Sequence, residues 1–283
     1  MKVAIIGADG FLGSKAKEVL LPFHDVIAAG INSTENRLDA SNLPQVIEFL
    51  KKNRPEVVLD VVALTSSLKC EENPVLAEKL NFITAKNISQ ACEEIGCWMV
   101  FISSSYLFDG KKGDYSENEE TIPMNEYART KIMAEKVVLN NPKGIVLRVD
   151  LMYGFNGLGR KNGVFDQILS GKEISLRDPS QTRHPIFVED VPRIMLELVS
   201  KRQKGVFHLA GPEKFSMLEF LQVLEKIVRK DSKIKISSGE PSKLQIPKNA
   251  TLNTNKVKDL GIKFTPIDVG LKKIQNQLFS WKI

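Results

Sequence analysis

The stretch Val3-Ala-Ile-Ile-Gly7-Ala-Asp9-Gly10-Phe11-Leu12-Gly13 decides how the rest of this sequence is read. Apolar, strand-favouring residues run into glycines spaced Gly-x-x-Gly-x-x-Gly, and an apolar pattern of three- and four-residue period follows to Leu21. A buried strand, a tight turn and a helix in that order let the backbone approach a pyrophosphate, which the N-terminal N–H groups of the helix attract. Glycines can serve a turn alone, but their place directly after the first strand points to nucleotide binding. Gly7, Asp9, Gly10, Phe11, Leu12 and Gly13 are therefore the first candidate cofactor residues.

Outward from this turn, strand-like and helix-like runs alternate, the signature of βαβ units and a mostly parallel sheet. Strands are expected at Val3–Ile6, Asp25–Ala29, Glu56–Ala63, Trp98–Ser103 and Gly144–Arg148, with helices at Phe11–Leu21, Asn42–Asn53, Pro74–Ile95 and Glu126–Leu139. Helices on both faces of such strands give an α/β, doubly wound sheet of Rossmann type. After Gly154 a Gly- and Lys-rich stretch from Phe155 to Lys172, and then Arg177 to Pro185, lose this periodicity. Phe187–Ser200 reads as a helix with its lead-in, Val206–Leu209 as a strand, and Ser216–Arg229 as a helix opened by a Ser cap with Glu219 three residues on. Residues 1–154 are expected to form the dinucleotide-binding domain, to which the chain returns at about 186–210. Residues 155–185 and 211–283 are expected to form a smaller substrate-binding region.

The second strand closes on Ala28-Ala-Gly-Ile-Asn32-Ser33-Thr34, without the carboxylate that would bind the adenosine ribose and select NAD. Asn32, Ser33 and Thr34, with Arg37 nearby, suit a 2′-phosphate, so NADPH is the expected coenzyme and NADH the alternative. Asp39, with Ala40 at the expected end of a third strand, is placed to meet the adenine amino group.

Tyr127-Ala-Arg-Thr-Lys131 begins a helical run, and the four-residue spacing puts phenol and ammonium on one face. A free tyrosine with a pKa near 10 is a poor acid at neutral pH, and a neighbouring cation favours its phenolate. Lys131 is expected to supply that cation and to hold the nicotinamide ribose. Ser103-Ser104-Ser105 ends a main strand upstream, where a hydroxyl can bond a substrate carbonyl beside the tyrosine.

Two further stretches make the pattern specific: Ser103-Ser-Ser-Tyr106-Leu-Phe-Asp-Gly110 and Pro123-Met-Asn-Glu-Tyr127-Ala-Arg-Thr-Lys131. Weaker ones are Leu147-Arg148 through Tyr153-Gly154, Phe187-Val-Glu-Asp190, His208-Leu-Ala-Gly211 and Pro247-Lys-Asn249-Ala-Thr-Leu252. On these the chain resembles the extended short-chain dehydrogenase/reductases, and among them the dTDP-4-dehydrorhamnose reductase family. The resemblance implies catalytic roles for Ser104, Tyr127 and Lys131. It also implies a cofactor-lining segment at Ala63, Leu64 and Thr65, an asparagine, Asn81, that holds this segment, and Ser103 beside the coenzyme. The implied reaction reduces the C4 ketone of a nucleotide-linked sugar, with Tyr127 giving the proton. Ser104, Ser105 and Tyr106 are the expected substrate contacts at that strand end; independently of the resemblance, His184, between Arg183 and Pro185 in the irregular segment, is a candidate to face the substrate, and Arg183 to pair with a diphosphate.

Ser105 stands where the family has an aspartate, Leu151 where many reductases have tryptophan, and Ile246 where an arginine commonly precedes the proline. These departures bring the chain closer to the regulatory β subunit of methionine adenosyltransferase, a relative that binds NADP and acts through a partner protein.

Composition is ordinary for a globular chain: 283 residues, 42% hydrophobic and 26% charged. Without a run of about 18 apolar residues, neither a membrane segment nor a signal peptide is expected, and the location is read as cytoplasmic. Cys70, Cys92 and Cys97 form no Cys-x-x-Cys pair, so no metal site or disulfide framework is expected. The net charge of +6 is scattered over helix faces rather than gathered for nucleic acid, and suits an anionic substrate and coenzyme. His24 and His208 read as structural, and Glu117-Asn-Glu-Glu120 as solvated charge. The sequence leaves a homodimer open.

Overall fold

Apolar runs too short for helices become the strands of a central sheet: β1 (Lys2–Ile6), β2 (Asp25–Ala29), β3 (Val57–Asp60), β4 (Trp98–Ser104) and β5 (Gly144–Val149). The computed structural model describes residues 1–33, 35–155, 168, 174–176, 178–228, 234–236 and 244–281. Short ladders pair β6 (Met152–Tyr153) with β9 (Ile186–Phe187), β7 (Ile174–Leu176) with β12 (Ile234–Ile236), and β8 (Thr182–Arg183) with β11 (Phe215–Ser216). A sixth main strand, β10 (Gly205–Leu209), completes the sheet in the order β10-β5-β4-β3-β1-β2, every pair parallel.

Side chains alternate across a strand, so a parallel sheet needs cover on both faces. The helices are α1 (Phe11–Leu20), α2 (Leu43–Asn53), α3 (Ser67–Glu72), α4 (Pro74–Glu78), α5 (Thr84–Ile95), α6 (Glu126–Asn140), α7 (Asp190–Ser200), α8 (Met217–Val228), α9 (Asn255–Lys258) and α10 (Ile267–Trp281). Leu12 and Ala16 of α1 and Ile194, Met195 and Leu198 of α7 bury Val3, Ile5, Val57, Leu59 and Val100 on one face. Val46 and Leu50 of α2, Ile88 and Cys92 of α5, and Ala134 and Val138 of α6 bury Ala4, Ile6, Val58 and Phe101 on the other. A separate cluster of Tyr153, Phe187, Phe220, Leu221, Leu271 and Ile274 gathers β6 and β9 with α8 and α10.

Three expectations are corrected. The strand expected to reach Ala63 stops at Asp60, because Val61 to Thr65 leaves the sheet. The third strand expected before Asp39 is a single bridge, Gly30 to Arg37, because Ser33 N–H returns to Gly30 O and Asn36 N–H to Ser33 Oγ, curling the chain. The helix expected over Pro74–Ile95 is α4, a π-helical turn at Lys79–Ile83, and α5. Thr34, Arg177 and most of the Gly- and Lys-rich stretch lie outside the described residues.

Candidate active site

The strand order reverses between β1 and β3, and in a doubly wound sheet the crevice beyond the carboxyl ends at that switch point receives the ligand. At the end of β1, Gly7 has φ +93°, and a Cβ there would sit 3.0 Å from Val62 N. A Cβ on Gly13 would strike Gly7 O and stand 2.7 Å from Ala8 Cα, so the first turn of α1 lies directly on the loop. Gly10 caps α1 and makes no side-chain cap bond. This close-packed helix start has the form a pyrophosphate needs.

Asp9 braces the turn: its Oδ2 accepts Asn32 N–H at 3.0 Å, and it lies so close to Gly30 that a side chain there would collide. Asn32 and Arg37 are exposed and Ser33 half-exposed in the loop after β2. Asp39 lies in the connection to α2 rather than at a strand end. Its carboxylate accepts Ser41 N–H and Oγ–H at 2.9 and 2.7 Å, and the Ser41 hydroxyl holds it below its ordinary pKa. The Ala40 carbonyl accepts Asn87 Nδ2 at 3.1 Å, tying this loop to α5.

On the far side of the crevice, Asn81 within the π-helical turn receives Leu64 N–H on Oδ1 at 2.7 Å. Its Nδ2 donates to Leu64 O at 3.3 Å and Thr130 Oγ1 at 3.1 Å. One amide thus fixes the Ala63-Leu64-Thr65 segment to α6. Asn125 caps α6, accepting Ala128 N–H at 2.9 Å, and sets the register of Tyr127 and Lys131.

Tyr127 is 9% exposed and hydrogen-bonded to the Ser104 hydroxyl, whose Oγ also accepts Tyr106 N–H at 3.1 Å. Burial pushes the phenol up to about 12, outweighing the Ser104 bond that pulls it down. Lys131 is 1% exposed; its Nζ donates to Ile102 O at 2.5 Å and stands 3.9 Å from the Phe101 ring centroid. The expectation that Lys131 lowers the Tyr127 pKa is therefore corrected for the protein on its own: the ammonium is drawn to the β4 edge, and burial governs the phenol. Ser103 Oγ is buried and has no partner among the described residues, a polar atom under the crevice awaiting one.

At the substrate end, Ser105 donates to Asp150 Oδ1 at 2.9 Å, and Asp150 Oδ2 accepts His184 N–H at 2.8 Å. Ser105 is thus bonded to a carboxylate that follows the neighbouring strand β5. Burial raises the Asp150 pKa, with Arg183 and the His184 N–H pulling it back. Arg183 differs from its expected part: it is 2% exposed, donates to Thr182 O and Pro247 O at 2.8 and 3.0 Å, and stacks on Tyr106 at 4.8 Å. These bonds make it a strut between β8 and the Pro247 segment rather than an open diphosphate clamp. His184 is half-buried, and burial lowers its pKa.

Sequence reasoning missed Asp150 and Asp60. Both are buried carboxylates at strand ends, and that position in an otherwise apolar run was the available signal. His208 is buried, with Nδ1 3.0 Å from Tyr115 O, and is structural. Glu117 and Glu119 are corrected from solvated charge to braces, accepting His208 N–H at 3.1 Å and Ser116 N–H at 2.8 Å. Among the described residues, no three His, Cys, Asp or Glu are grouped to hold a metal, and no helix is long and apolar enough to cross a membrane.

The family model described as RmlD substrate binding domain matches residues 1–279. The chain belongs to that family. Within it, the chain is 30% identical over 288 residues to rat (Rattus norvegicus) methionine adenosyltransferase 2 subunit beta, covering 96% of this chain and 86% of the relative. A solved dTDP-4-dehydrorhamnose reductase from Clostridium acetobutylicum is 27% identical, with a TM-score of 0.86 and all of both chains covered. A dTDP-4-dehydrorhamnose reductase from Bacillus anthracis, solved in complex with NADP, shares the fold at a TM-score of 0.86 and 24% identity, over 96% of this chain and 98% of that one. This RmlD-family chain is Rossmann-type, as its sheet order already required.

Proposed function

We propose that this protein is an NADPH-preferring reductase of a nucleotide-linked 4-keto-6-deoxysugar, dTDP-4-dehydro-L-rhamnose first among the substrates, yielding dTDP-L-rhamnose. The observation that supports this reading is Tyr127 lying beside Ser104, with Lys131 Nζ on Ile102 O, at the carboxyl end of β4. NADPH, when bound, supplies a hydride to the ketone carbon. Ser104 donates a hydrogen bond to the ketone oxygen, and the Tyr127 Oη proton passes to that oxygen as it becomes an alkoxide. Lys131 holds the nicotinamide ribose. The Gly7–Gly13 turn and α1 take the pyrophosphate, and Asn32, Ser33 and Arg37 take the 2′-phosphate. The reductases among the relatives and the NADP in the B. anthracis enzyme agree with this assignment.

Following NADPH absorbance with a panel of nucleotide ketosugars tests the proposal, with turnover on a dTDP-linked 4-ketosugar the expected outcome. A strong preference for NADH would remove the 2′-phosphate assignment. A second reading, a coenzyme-binding regulatory subunit, is favoured by the 30% identity to a methionine adenosyltransferase subunit together with Ser105, Leu151 and Ile246. No turnover with any ketosugar, alongside stable association with another enzyme, would establish that reading instead.

A further inference from the structure

The buried apolar run of β3, Val57-Val58-Leu59, ends on a carboxylate, Asp60, which is 1% exposed. Taking an ionised carboxyl out of water is costly unless hydrogen bonds and opposite charge offset it. Asp60 Oδ1 accepts Val62 N–H at 3.0 Å, while Oδ2 is buried with no hydrogen-bond partner among the described residues. The register sets Asp60 across from Phe101 of β4, the ring beside which the Lys131 ammonium stands. Lys131 Nζ spends one proton on Ile102 O, leaving two of three.

The other ionisable groups around this point are spoken for. Glu135, one turn along α6, is held by Arg148 of β5 through bonds of 2.8, 3.0 and 3.2 Å, so its charge is matched. Tyr127 lies one turn back on α6 and keeps its proton. From α5, the Cys92 thiol faces Asp60, and burial pushes its pKa well up; it is hydrogen-bonded to Cys97, near Lys143. Asp60 is therefore a buried carboxylate paired in register with the Phe101 residue whose ring Lys131 stands over, with no cation of its own among the described residues.

We infer that Asp60 is a positioning residue of this site, holding the Lys131 ammonium protonated and fixed on the β4 edge, where its remaining protons can meet the coenzyme ribose. The inference rests on the reading that Lys131 binds that ribose. Burial pushes Lys131 down to about 8 while Asp60 pulls it up, and burial raises Asp60 to about 6 while Lys131 pulls it down. Each group keeps the other charged near neutral pH.

The test is NADPH affinity, read by fluorescence titration between about pH 6 and about pH 10, for the native protein, Asp60→Asn and Lys131→Met. Native affinity should fall as pH rises through about 8. In Asp60→Asn the fall should move down by about one pH unit, leaving acid-side affinity unchanged and binding about tenfold weaker above both midpoints. In Lys131→Met the dependence should flatten. An Asp60→Asn profile lying on the native one, with Lys131→Met flat, would overturn the role of Asp60 and leave the ribose reading intact. Native affinity and pH dependence in Lys131→Met would instead sink the ribose reading, and this inference with it. A measurement independent of any variant's folding is the carboxyl-carbon NMR titration of Asp60 in the native protein. Ionisation below about pH 7 is expected, and a carboxyl still protonated at about pH 8 would overturn the inference.

Discussion

Tyr127 keeps its proton because it is buried. With its pKa pushed up to about 12, the phenol is protonated across the neutral range, as a proton donor to a nascent alkoxide must be. Tyr127→Phe should lower kcat by about 10²- to 10⁴-fold while leaving NADPH affinity within about twofold, read by steady-state kinetics and fluorescence titration. Turnover undiminished in this variant would refute the acid. At Ser105 the issue is charge placement. Its hydroxyl already serves Asp150, so Ser105→Asp would bury two carboxylates against each other. Thermal unfolding should show a loss of about 2 kcal/mol or more, and adding Asp150→Ser should restore most of it.

The π-helical turn at Lys79–Ile83 is the element that ties the Ala63–Thr65 segment to α6. It carries Asn81, whose amide is the joint between Leu64 and Thr130. Asn81→Ala leaves the half-buried Leu64 N–H without its partner, at a cost of about 1–3 kcal/mol in urea unfolding. NADPH binding should weaken as well, because the Ala63–Thr65 segment loses its anchor. An asparagine at this place is legible as a residue of interest only by resemblance. Its helical geometry was not legible, since a π turn has no period of its own and Pro74–Ile95 scans as one amphipathic helix. The strand β1, the glycine turn and α1 were legible almost to the residue, because the apolar run and its glycines leave the local backbone little choice. The supposed third strand failed for the converse reason: a polar curl made of Ser33 and Asn36 bonds competes with extended pairing.

Across the whole molecule, His208 of β10 links three elements. Its Nδ1 meets Tyr115 O at 3.0 Å, so Nε2 is left to face Arg148 Nη1 at 3.4 Å, and Arg148 in turn holds Glu135 of α6. Burial and the Arg148 charge push its pKa down to about 3, whereas in the unfolded chain it protonates near 6.5. The unfolded state therefore binds the extra proton between these values, and the stability His208 contributes at neutral pH is lost as pH falls from about 6.5 towards about 3. Melting temperatures over that range should fall more steeply for the native protein than for His208→Gln. The same scale governs encounter with substrate. With a net charge of +6, kcat/KM for a nucleotide diphosphosugar should fall as ionic strength rises, more than kcat does.

By itself the sequence determined the alternation of strand and helix, the glycine turn after the first strand and the placing of Tyr127 and Lys131 one turn apart, because each follows from patterns local to the chain. Only the tertiary structure decided that the Lys131 ammonium turns to Ile102 O, that Ser105 is bonded to Asp150, and that Arg183 is a strut. Those outcomes depend on which strand lies beside which. The energy of a buried charge is set by neighbours that are distant along the chain.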